Sequence, residues 1–332
     1  MSLGCGDLLL RLAALALSLL LVSGCATQTR NLSTTAPELP VRAELPDTPF
    51  FPQDRHQCGP ASLAIALAAA GYPADPADLE SRVYLAAREG SLQMEMQAAA
   101  RRHGALAVQS PPTLAGLFAE IVAGTPVIIL QNLGLEFAPR WHYAVVIGYD
   151  RATNEVMLRS GTNRHEVMAM STFEHTWARS GYWGMVVFRP GKLPQAVDRA
   201  ALEKILTQLE KYADPAALLS WYEQAVSRWQ DNLVFLIGLG NAAHAMGQIE
   251  RAEQAFRAAS DRHPQSVIAL NNLATVLHQR GKLAEALAVT EHAVALGGEW
   301  QSEAQATRAA IQGAIHTTSS PVATGADATP VH

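Results

Sequence analysis

Residues 51–64 read Phe51-Pro-Gln-Asp-Arg-His-Gln-Cys58-Gly-Pro-Ala-Ser-Leu-Ala64, and this stretch decides the fold of the first half of the chain. The apolar run from Ala61 to Ala70 predicts a helix. Pro60 lies near its first turn, where a proline is tolerated. Cys58 therefore stands at the N-terminus of this helix. The positive end of the helix dipole there favours a thiolate, which is the nucleophilic form of cysteine.

The residues around this helix predict an α+β domain. Further helical patterns cover residues 76–88, 91–103 and 113–123. Strand-like apolar runs follow at residues 126–130, 143–147, 156–158 and 185–188. Helices that precede a set of strands, rather than alternate with them, favour an antiparallel sheet.

A second motif carries the likeness to a known family. Residues 141–150 read Trp-His-Tyr-Ala-Val-Val-Ile-Gly-Tyr-Asp. With Gln-x4-Cys-Gly-Pro-Ala-Ser-Leu upstream, the sequence over residues 48–190 resembles the papain-like cysteine peptidases. More narrowly, it is similar to the bacteriocin-processing, double-glycine-leader peptidases and their stand-alone relatives. The resemblance implies that Cys58 is the nucleophile, His142 the base and Gln53 the oxyanion donor.

Each of these assignments has a structural alternative. Cys58 could be a small buried apolar residue, and His142 a structural histidine at the start of a strand. Gln57 is the nearby alternative to Gln53. Because neighbouring side chains point away from each other, Gln57 is less suited to reach the reacting carbonyl at Cys58. The remaining histidines show no metal-ligand spacing, and we expect neither a metal nor a cofactor.

The third catalytic residue is where the sequence departs from its relatives. They carry an Asp followed by a Pro at the end of the strand after the histidine, whereas Ser160 and Gly161 stand here. Ser160 or the following Asn163 could orient the imidazole instead. Asp150 lies at the far end of the histidine's own strand, where a turn over residues 150–154 is its more natural role. The site is then a Cys–His dyad with a weak orienting group, for which low turnover is expected.

The C-terminal part of the chain contains a repeat. Four positions recur with a spacing of 34 residues, from Leu239, Gly247, Ala252 and Ala259 to Leu273, Gly281, Ala286 and Ala293. This period, with Gly240, Phe256 and Pro264 in the first copy, resembles the tetratricopeptide repeat, a helix–turn–helix unit that stacks into a solenoid. The resemblance covers residues 233–298. Leu218, Tyr222 and Ala225 indicate an earlier, degenerate copy, and residues 300–313 a capping helix.

The N-terminus resembles a bacterial lipoprotein signal. An apolar run from Leu12 to Val22 is too short for a membrane span and ends in Leu21-Val-Ser-Gly-Cys25, which implies cleavage after residue 24 and lipidation of Cys25. An ordinary secretory signal or a short anchor helix is the alternative. With no Asp after Cys25, lipoprotein sorting favours the outer membrane, facing the periplasm. Cys58 is then the remaining thiol, without a partner for a disulfide.

Length and charge limit the functions. At roughly 150 residues per domain, 332 residues predict about two domains. A net charge of −5 argues against nucleic acid as the main partner. The sequence lacks the Gly-x4-Gly-Lys-Ser/Thr motif of the ATP-driven exporters that usually accompany such peptidases. The resemblance alone therefore does not imply that this protein removes bacteriocin leaders.

The sequence thus predicts an α+β papain-like cysteine peptidase domain followed by an all-α tetratricopeptide-repeat solenoid. The expected organisation is a signal peptide at residues 1–24, a proline-rich tether at 25–52, the peptidase domain at 53–192, the repeats at 199–315 and a disordered tail at 316–332. We expect a membrane-anchored peptidase that hydrolyses a peptide or protein substrate and binds a protein partner through its repeats. The alternatives are an inactive binding module and an acyl or amide transferase that uses the same cysteine.

Overall fold

The computed structural model describes residues 26–52, 57–85, 90–194 and 197–319. The chain divides into two compact units, with the division between Arg189 and Val197. The helices of the first unit are α1 (Thr27–Thr35), α2 (Cys58–Ala69), α3 (Pro76–Val83), α4 (Gln93–Arg102), α5 (Leu114–Val122) and α6 (Met170–Ala178). Its strands are β1 (Arg42–Glu44), β2 (Tyr84–Leu85), β3 (Gly90–Ser91), β4 (Leu106–Gln109), β5 (Val127–Asn132), β6 (Trp141–Asp150), β7 (Glu155–Ser160), β8 (Asn163–Ala169) and β9 (Gly184–Phe188).

The described residues of this unit form one seven-stranded sheet and one small hairpin. The sheet order is β4-β9-β5-β6-β7-β8, with β1 paired to the end of β6, and every pairing is antiparallel. β2 and β3 form the hairpin. The antiparallel α+β fold expected from the order of helices and strands is confirmed.

Helix α2 lies against the centre of this sheet and forms the main core with it. Nine consecutive residues, from Gly59 to Leu67, are buried. Leu63 and Leu67 pack in the same cluster as Val145 and Ile147 of β6. A helix that is apolar on all sides is stable only when it is covered all round, as it is here between the sheet and helices α3 and α4.

Some predicted elements end differently, and others were not predicted. The helix expected over residues 76–88 stops at Val83, because Tyr84 and Leu85 pair with Gly90 and Ser91 as a hairpin. Strands β4 and β8 and helix α6 carry no distinct pattern in the sequence. The burial of β8 alternates between exposed and intermediate residues, as expected for a strand at the edge of a sheet.

The tether expected over residues 25–52 is folded in its described part, and this expectation was wrong. Helix α1 begins at Thr27, and its first backbone N–H groups donate to Glu174 of α6, from Gln28 at 2.9 Å and from Thr29 at 2.7 Å. Strand β1 pairs with β6 through Arg42–Glu44. Proline spacing indicates extended chain, but here tertiary partners satisfy the backbone, so the segment belongs to the domain.

The second unit is all-helical in its described residues. Its helices are α7 (Arg199–Leu209), α8 (Pro215–Arg228), α9 (Leu233–Ala245), α10 (Ile249–Arg262), α11 (Val267–Gln279), α12 (Leu283–Leu296) and α13 (Gln301–Ser319). Helices α9–α10 and α11–α12 are the two predicted repeat pairs. The glycines 34 positions apart, Gly247 and Gly281, occupy the turn inside each pair with φ of 70° and 73°.

Small residues allow consecutive helices of this unit to approach each other closely. A Cβ added at Gly240 would meet the ring of Phe256 at 2.3 Å, and one at Gly238 would meet the ring of Tyr222 at 2.1 Å. The repeated alanines, Ala252, Ala259, Ala286 and Ala293, are fully buried. The recurring positions of the sequence are therefore the contact positions of the solenoid.

Residues 316–319, which were expected to belong to a disordered tail, lie in α13, which continues to Ser319. Residues 320–332 lie outside the described part of the chain. Across the ranges described above, no helix is long and apolar enough to span a membrane.

Candidate active site

Cys58 is the first residue of α2 and carries a free, half-buried thiol. The next residue, Gly59, lies against the hydroxyl of Ser91 in β3, which a Cβ at this position would meet at 2.3 Å. Only glycine leaves room for this contact. The β2–β3 hairpin therefore packs directly on the first turn of α2, beside the thiol.

Tyr143 connects this helix start to strand β6. Its hydroxyl donates to the carbonyl oxygen of Ser91 at 3.0 Å. Burial raises the pKa of Tyr143, and the negative charge of a Cys58 thiolate raises it further. The thiol is thus within electrostatic range of Tyr143, the residue that directly follows His142.

His142 is oriented by Ser160. Its Nε2 lies 3.0 Å from the Ser160 hydroxyl oxygen at the end of β7. The hydroxyl stands where the relatives carry a carboxylate, and it is buried. The sequence left Ser160 and Asn163 as alternatives for this role. The structure brings Ser160 to the imidazole, whereas Asn163 is an exposed residue that pairs with Ser160 at the start of β8.

The surroundings of His142 favour its neutral form. Burial lowers the pKa of the imidazole, and Arg140 lowers it further, while Glu166 opposes both. A neutral imidazole at pH 7 can accept a proton, which is what a general base requires. Ser160 is uncharged and adds no carboxylate to stabilise the imidazolium.

The imidazole and the thiol are not hydrogen-bonded to each other. Tyr143 belongs to the core cluster of α2 and the sheet, against which Cys58 packs, and His142 pairs with Gln131 of β5. In the part of the chain that the structure describes, the hydrogen bond of this imidazole goes to Ser160, and none joins it to Cys58. Catalytic hydrogen bonds often tighten only when substrate binds.

The remaining predicted residues fall into two groups. Gln53 and Cys25 lie outside the described residues. Gln57 and Asp150 are engaged elsewhere: the Gln57 amide donates to Glu80 at 3.3 Å, and Asp150 accepts from two backbone N–H groups of its turn, at 2.8 and 3.2 Å. The turn expected for Asp150 is thus present.

Arg159 is a site residue that the sequence did not reveal. Its guanidinium is buried and donates to the carbonyl oxygens of Pro46, at 2.7 Å, and Thr48, at 2.9 Å. These bonds hold the segment that leads into Gln53 against the strand that ends in Ser160. The one feature of the sequence that could have indicated this role is the position of an arginine within the apolar strand β7. Among the described residues, no cluster of His, Cys, Asp and Glu could hold a metal ion.

The fold and the site define the class of the first unit. A cysteine that opens a helix, a histidine that opens a strand and an antiparallel sheet beneath that helix form a cysteine-peptidase-like domain. Residues 45–185 match the Peptidase C39 like family, and residues 237–312 match the tetratricopeptide repeat. The chain carries a Peptidase C39-like domain followed by tetratricopeptide repeats.

Solved structures resemble each unit at low identity. A C39-like peptidase from Bacillus anthracis is 20% identical, with 45% of this chain and 98% of that chain covered and a TM-score of 0.38. A double glycine motif protease from an AMS/PCAT transporter, in complex with its leader peptide, is 18% identical over 44% and 92%, with a TM-score of 0.33. The translocator chaperone SycD of Yersinia enterocolitica is 22% identical over 36% and 83%, with a TM-score of 0.31. The comparison with curated proteins found no match.

Proposed function

We propose that the chain is a cysteine peptidase in which Cys58 attacks a peptide carbonyl and His142 acts as base and acid. The observation that carries the proposal is the free thiol at the first residue of α2, which packs against the core cluster that contains Tyr143, the neighbour of His142 in β6. The match to the Peptidase C39 like family supports it. A cysteine thiol acts as a nucleophile once a base takes its proton, which is the role proposed for His142.

The reaction takes place in two stages. In the first, His142 accepts the thiol proton, the sulfur bonds to the carbonyl carbon, and the imidazolium returns the proton to the leaving amine as the C–N bond breaks. Gln53 and a backbone N–H stabilise the oxyanion. In the second, His142 removes a proton from water, the hydroxide attacks the thioester, and the thiolate leaves as the carboxylic acid is released.

The first test is thiol reactivity. The protein from residue 26 onward is treated briefly with iodoacetamide near pH 6.5, and the intact mass is measured for the wild type, for His142→Ala and for the control His165→Ala. His165 is half-exposed and pairs with Glu44. Rapid labelling of Cys58 that slows in His142→Ala but not in His165→Ala supports an activated pair.

A second function is favoured by one specific observation. Ser160 replaces the carboxylate of the relatives, and the described thiol and imidazole make no mutual hydrogen bond, as expected for a binding module that has lost catalysis. Slow labelling of Cys58 in all three proteins would favour the inactive binding module. Rapid labelling that depends on His142, together with products that form only when an amine is added, would instead indicate a transferase.

The repeats supply the second half of the proposed function. Tetratricopeptide repeats present helices along a continuous surface that binds other proteins. We propose that this unit binds a protein partner or the protein substrate. Removal of the second unit should then weaken turnover of a protein substrate more than that of a short peptide, provided that the first unit stays folded by circular dichroism.

Membrane anchoring is a further part of the proposal. The sequence Leu21-Val-Ser-Gly-Cys25 supports lipidation of Cys25 and a location on the outer membrane, facing the periplasm. Helix α1 begins at Thr27, two residues after Cys25, and is held by Glu174. A lipid on Cys25 would therefore keep the peptidase domain close to the membrane surface. Labelling of the wild type with a fatty-acid probe, and its loss in Cys25→Ser, tests this.

A further inference from the structure

The edge strand β8 carries one carboxylate, and that carboxylate is drawn toward the sheet. Of the residues Asn163–Ala169, Glu166 and Met168 are half-buried and the others are exposed. Residues two positions apart in a strand share a face, so Glu166 and Met168 lie on the covered face of β8. Glutamate side chains favour full exposure, and one on the covered face of an edge strand has a neighbour to explain it.

The pairing of β7 with β8 places Glu166 on the same face as Ser160. Glu166 is the register partner of Leu158, and residues paired across two antiparallel strands share a face. Two positions separate Leu158 from Ser160 in β7, whereas three separate Glu166 from Asn163 in β8. The extra residue of the register shift is therefore in β8, and β7 keeps its alternation. Glu166 and Ser160 are diagonal neighbours on one face.

A contact between β5 and β8 shows that the sheet curls around this face. The Gln131 amide of β5 donates to Sδ of Met168 in β8 at 3.9 Å. Strands β6 and β7 lie between β5 and β8 in the sheet. Because Gln131 and Met168 meet across them, the sheet curls toward the face that carries Glu166. Gln131 is also the register partner of His142, whose imidazole is bonded to Ser160 on this face.

Glu166 acts electrostatically on the imidazole of His142. Burial lowers the pKa of His142, the negative charge of Glu166 raises it, and the positive charge of Arg140 lowers it. Within the described ranges of the chain, the Glu166 carboxylate makes no hydrogen bond or ion pair of its own. Its charge is therefore not neutralised by another partner and remains available to the imidazole.

The other titratable groups on the neighbouring elements are exposed or bonded elsewhere. Helix α2 contributes the Cys58 thiol. Strands β7 and β8, and α6 with the residue after it, contribute Arg159, Arg164, His165, Glu174, His175 and Arg179. The charges that shift the pKa of His142 are those of Glu166 and Arg140.

We propose that Glu166 is a positioning residue of this site, whose charge stabilises the imidazolium of His142 in place of the strand-end carboxylate of the relatives. This inference deepens the proposed peptidase function and rests on it. His142 is positively charged from the moment it accepts the thiol proton until it gives that proton to the leaving amine. A fixed negative charge nearby stabilises this state. The two tasks of a triad carboxylate, to orient the ring and to balance its charge, are thus divided between Ser160 and Glu166.

The first measurement is the pKa of the His142 ring, by NMR titration of the protein from residue 26 onward. Glu166→Gln removes the charge and keeps the shape of the side chain, so this pKa should fall. Arg140→Gln removes the opposing charge, so the pKa should rise. The control Glu155→Gln removes an equal charge at the other end of β7, where Glu155 accepts from the Thr153 hydroxyl, and should leave the pKa unchanged.

The second measurement is the rate at which iodoacetamide labels Cys58 near pH 6.5, which requires no known substrate. Glu166→Gln should slow labelling by about threefold, because the imidazolium that accompanies the thiolate is less stable. Glu166→Asp keeps the charge and should retain most of the rate. In a His142→Ala background, Glu166→Gln should have no effect, because its influence passes through the imidazole.

The inference and the proposed function fail separately. An unchanged pKa of His142 in Glu166→Gln, or an equal loss of labelling rate with and without His142, would overturn the inference, even in a protein that hydrolyses fluorescein-labelled casein. If the pKa falls in Glu166→Gln but Cys58 labelling does not depend on His142 and casein stays intact, the peptidase is overturned. The charge coupling between Glu166 and His142 then remains.

Discussion

His142 and Ser160 lie 3.0 Å apart, imidazole nitrogen to hydroxyl oxygen, at a place where related peptidases have a carboxylate. A hydroxyl can orient an imidazole, but it lacks the negative charge with which a carboxylate stabilises the imidazolium. His142 is therefore held in place, but its imidazole takes up a proton less readily than it would in a triad with a carboxylate. This relationship explains why low turnover is expected, and it can be altered at a single residue.

The variant Ser160→Asp is expected to raise the pKa of His142, because an adjacent carboxylate favours the imidazolium. An NMR titration of the His142 ring measures the change. If the site is catalytic, peptide turnover should increase as well. The control Ser171→Asp introduces the same charge at an exposed position of α6. A His142 pKa that stays unchanged or falls in Ser160→Asp would contradict the prediction.

The low pKa of His142 makes the stability of the fold depend on pH. Between the lowered folded value and the ordinary value of 6.5, the unfolded chain binds a proton that the folded chain does not. The free energy of unfolding should therefore fall as the pH drops below about 6.5 and be independent of this group above it. Denaturant titrations at pH 5 and pH 8 test the sign.

The matched variant is His142→Gln, which keeps a polar side chain but has no proton to gain. Burial also lowers the pKa of His103, which therefore makes its own contribution to the pH dependence of stability. This contribution is the same in the wild type and in His142→Gln. The expected result is a smaller loss of stability in His142→Gln between the two pH values. An equal loss in both proteins would show that the lowered pKa of His142 does not contribute.

Glu174 should control the docking of helix α1. Its carboxylate is 1% exposed and accepts from the backbone N–H groups of Gln28 and Thr29 and from the Thr29 hydroxyl. In Glu174→Gln the charge opposite the helix N-terminus is lost, at a cost of about 1 kcal/mol. Hydrogen exchange of residues 27–35 should become roughly fivefold faster.

The control for this experiment is Thr35→Ala, which removes an exposed hydroxyl at the other end of the same helix. Unchanged exchange in Glu174→Gln would mean that α1 does not depend on this carboxylate, and that the segment is closer to the tether predicted from its prolines. Faster exchange throughout the unit would instead indicate a general loss of stability.

Gly240 and Gly313 are both helical glycines of the second unit, and they should respond in opposite directions to alanine. A Cβ at Gly240 meets the Phe256 ring at 2.3 Å, whereas one at Gly313 has no atom within 4 Å. Gly240→Ala should cost about 1–3 kcal/mol of unfolding free energy through overpacking. Gly313→Ala should add about 1 kcal/mol through helix propensity.

Thermal and urea denaturation measure both effects. Adding Phe256→Leu to Gly240→Ala removes the ring that clashes, so the two substitutions should not be additive. Strict additivity, or a gain of stability in Gly240→Ala alone, would be inconsistent with the packing of α9 against α10 that the structure contains.

The α+β fold, the repeats and part of the site could be predicted because each depends on a local pattern. The helix after Cys58, the apolar strand after His142 and the spacing of 34 residues are periodic features of adjacent residues. Ser160 was one of two alternatives for orienting the imidazole, because its approach to His142 depends on how β6 pairs with β7. Only the paired sheet decides between Ser160 and Asn163.

What the sequence by itself determined is the kind of residue at each point of the chain: a cysteine at a helix start, a histidine at a strand start and small residues at a fixed period. What only the tertiary structure decided is which distant groups meet. The backbone of residues 27–44 looked like a tether because its partners, Glu174 and β6, lie more than a hundred positions away in sequence. The contacts of Arg159 with Pro46 and Thr48 arise in the same way, since burial is set by packing between segments and not by local sequence.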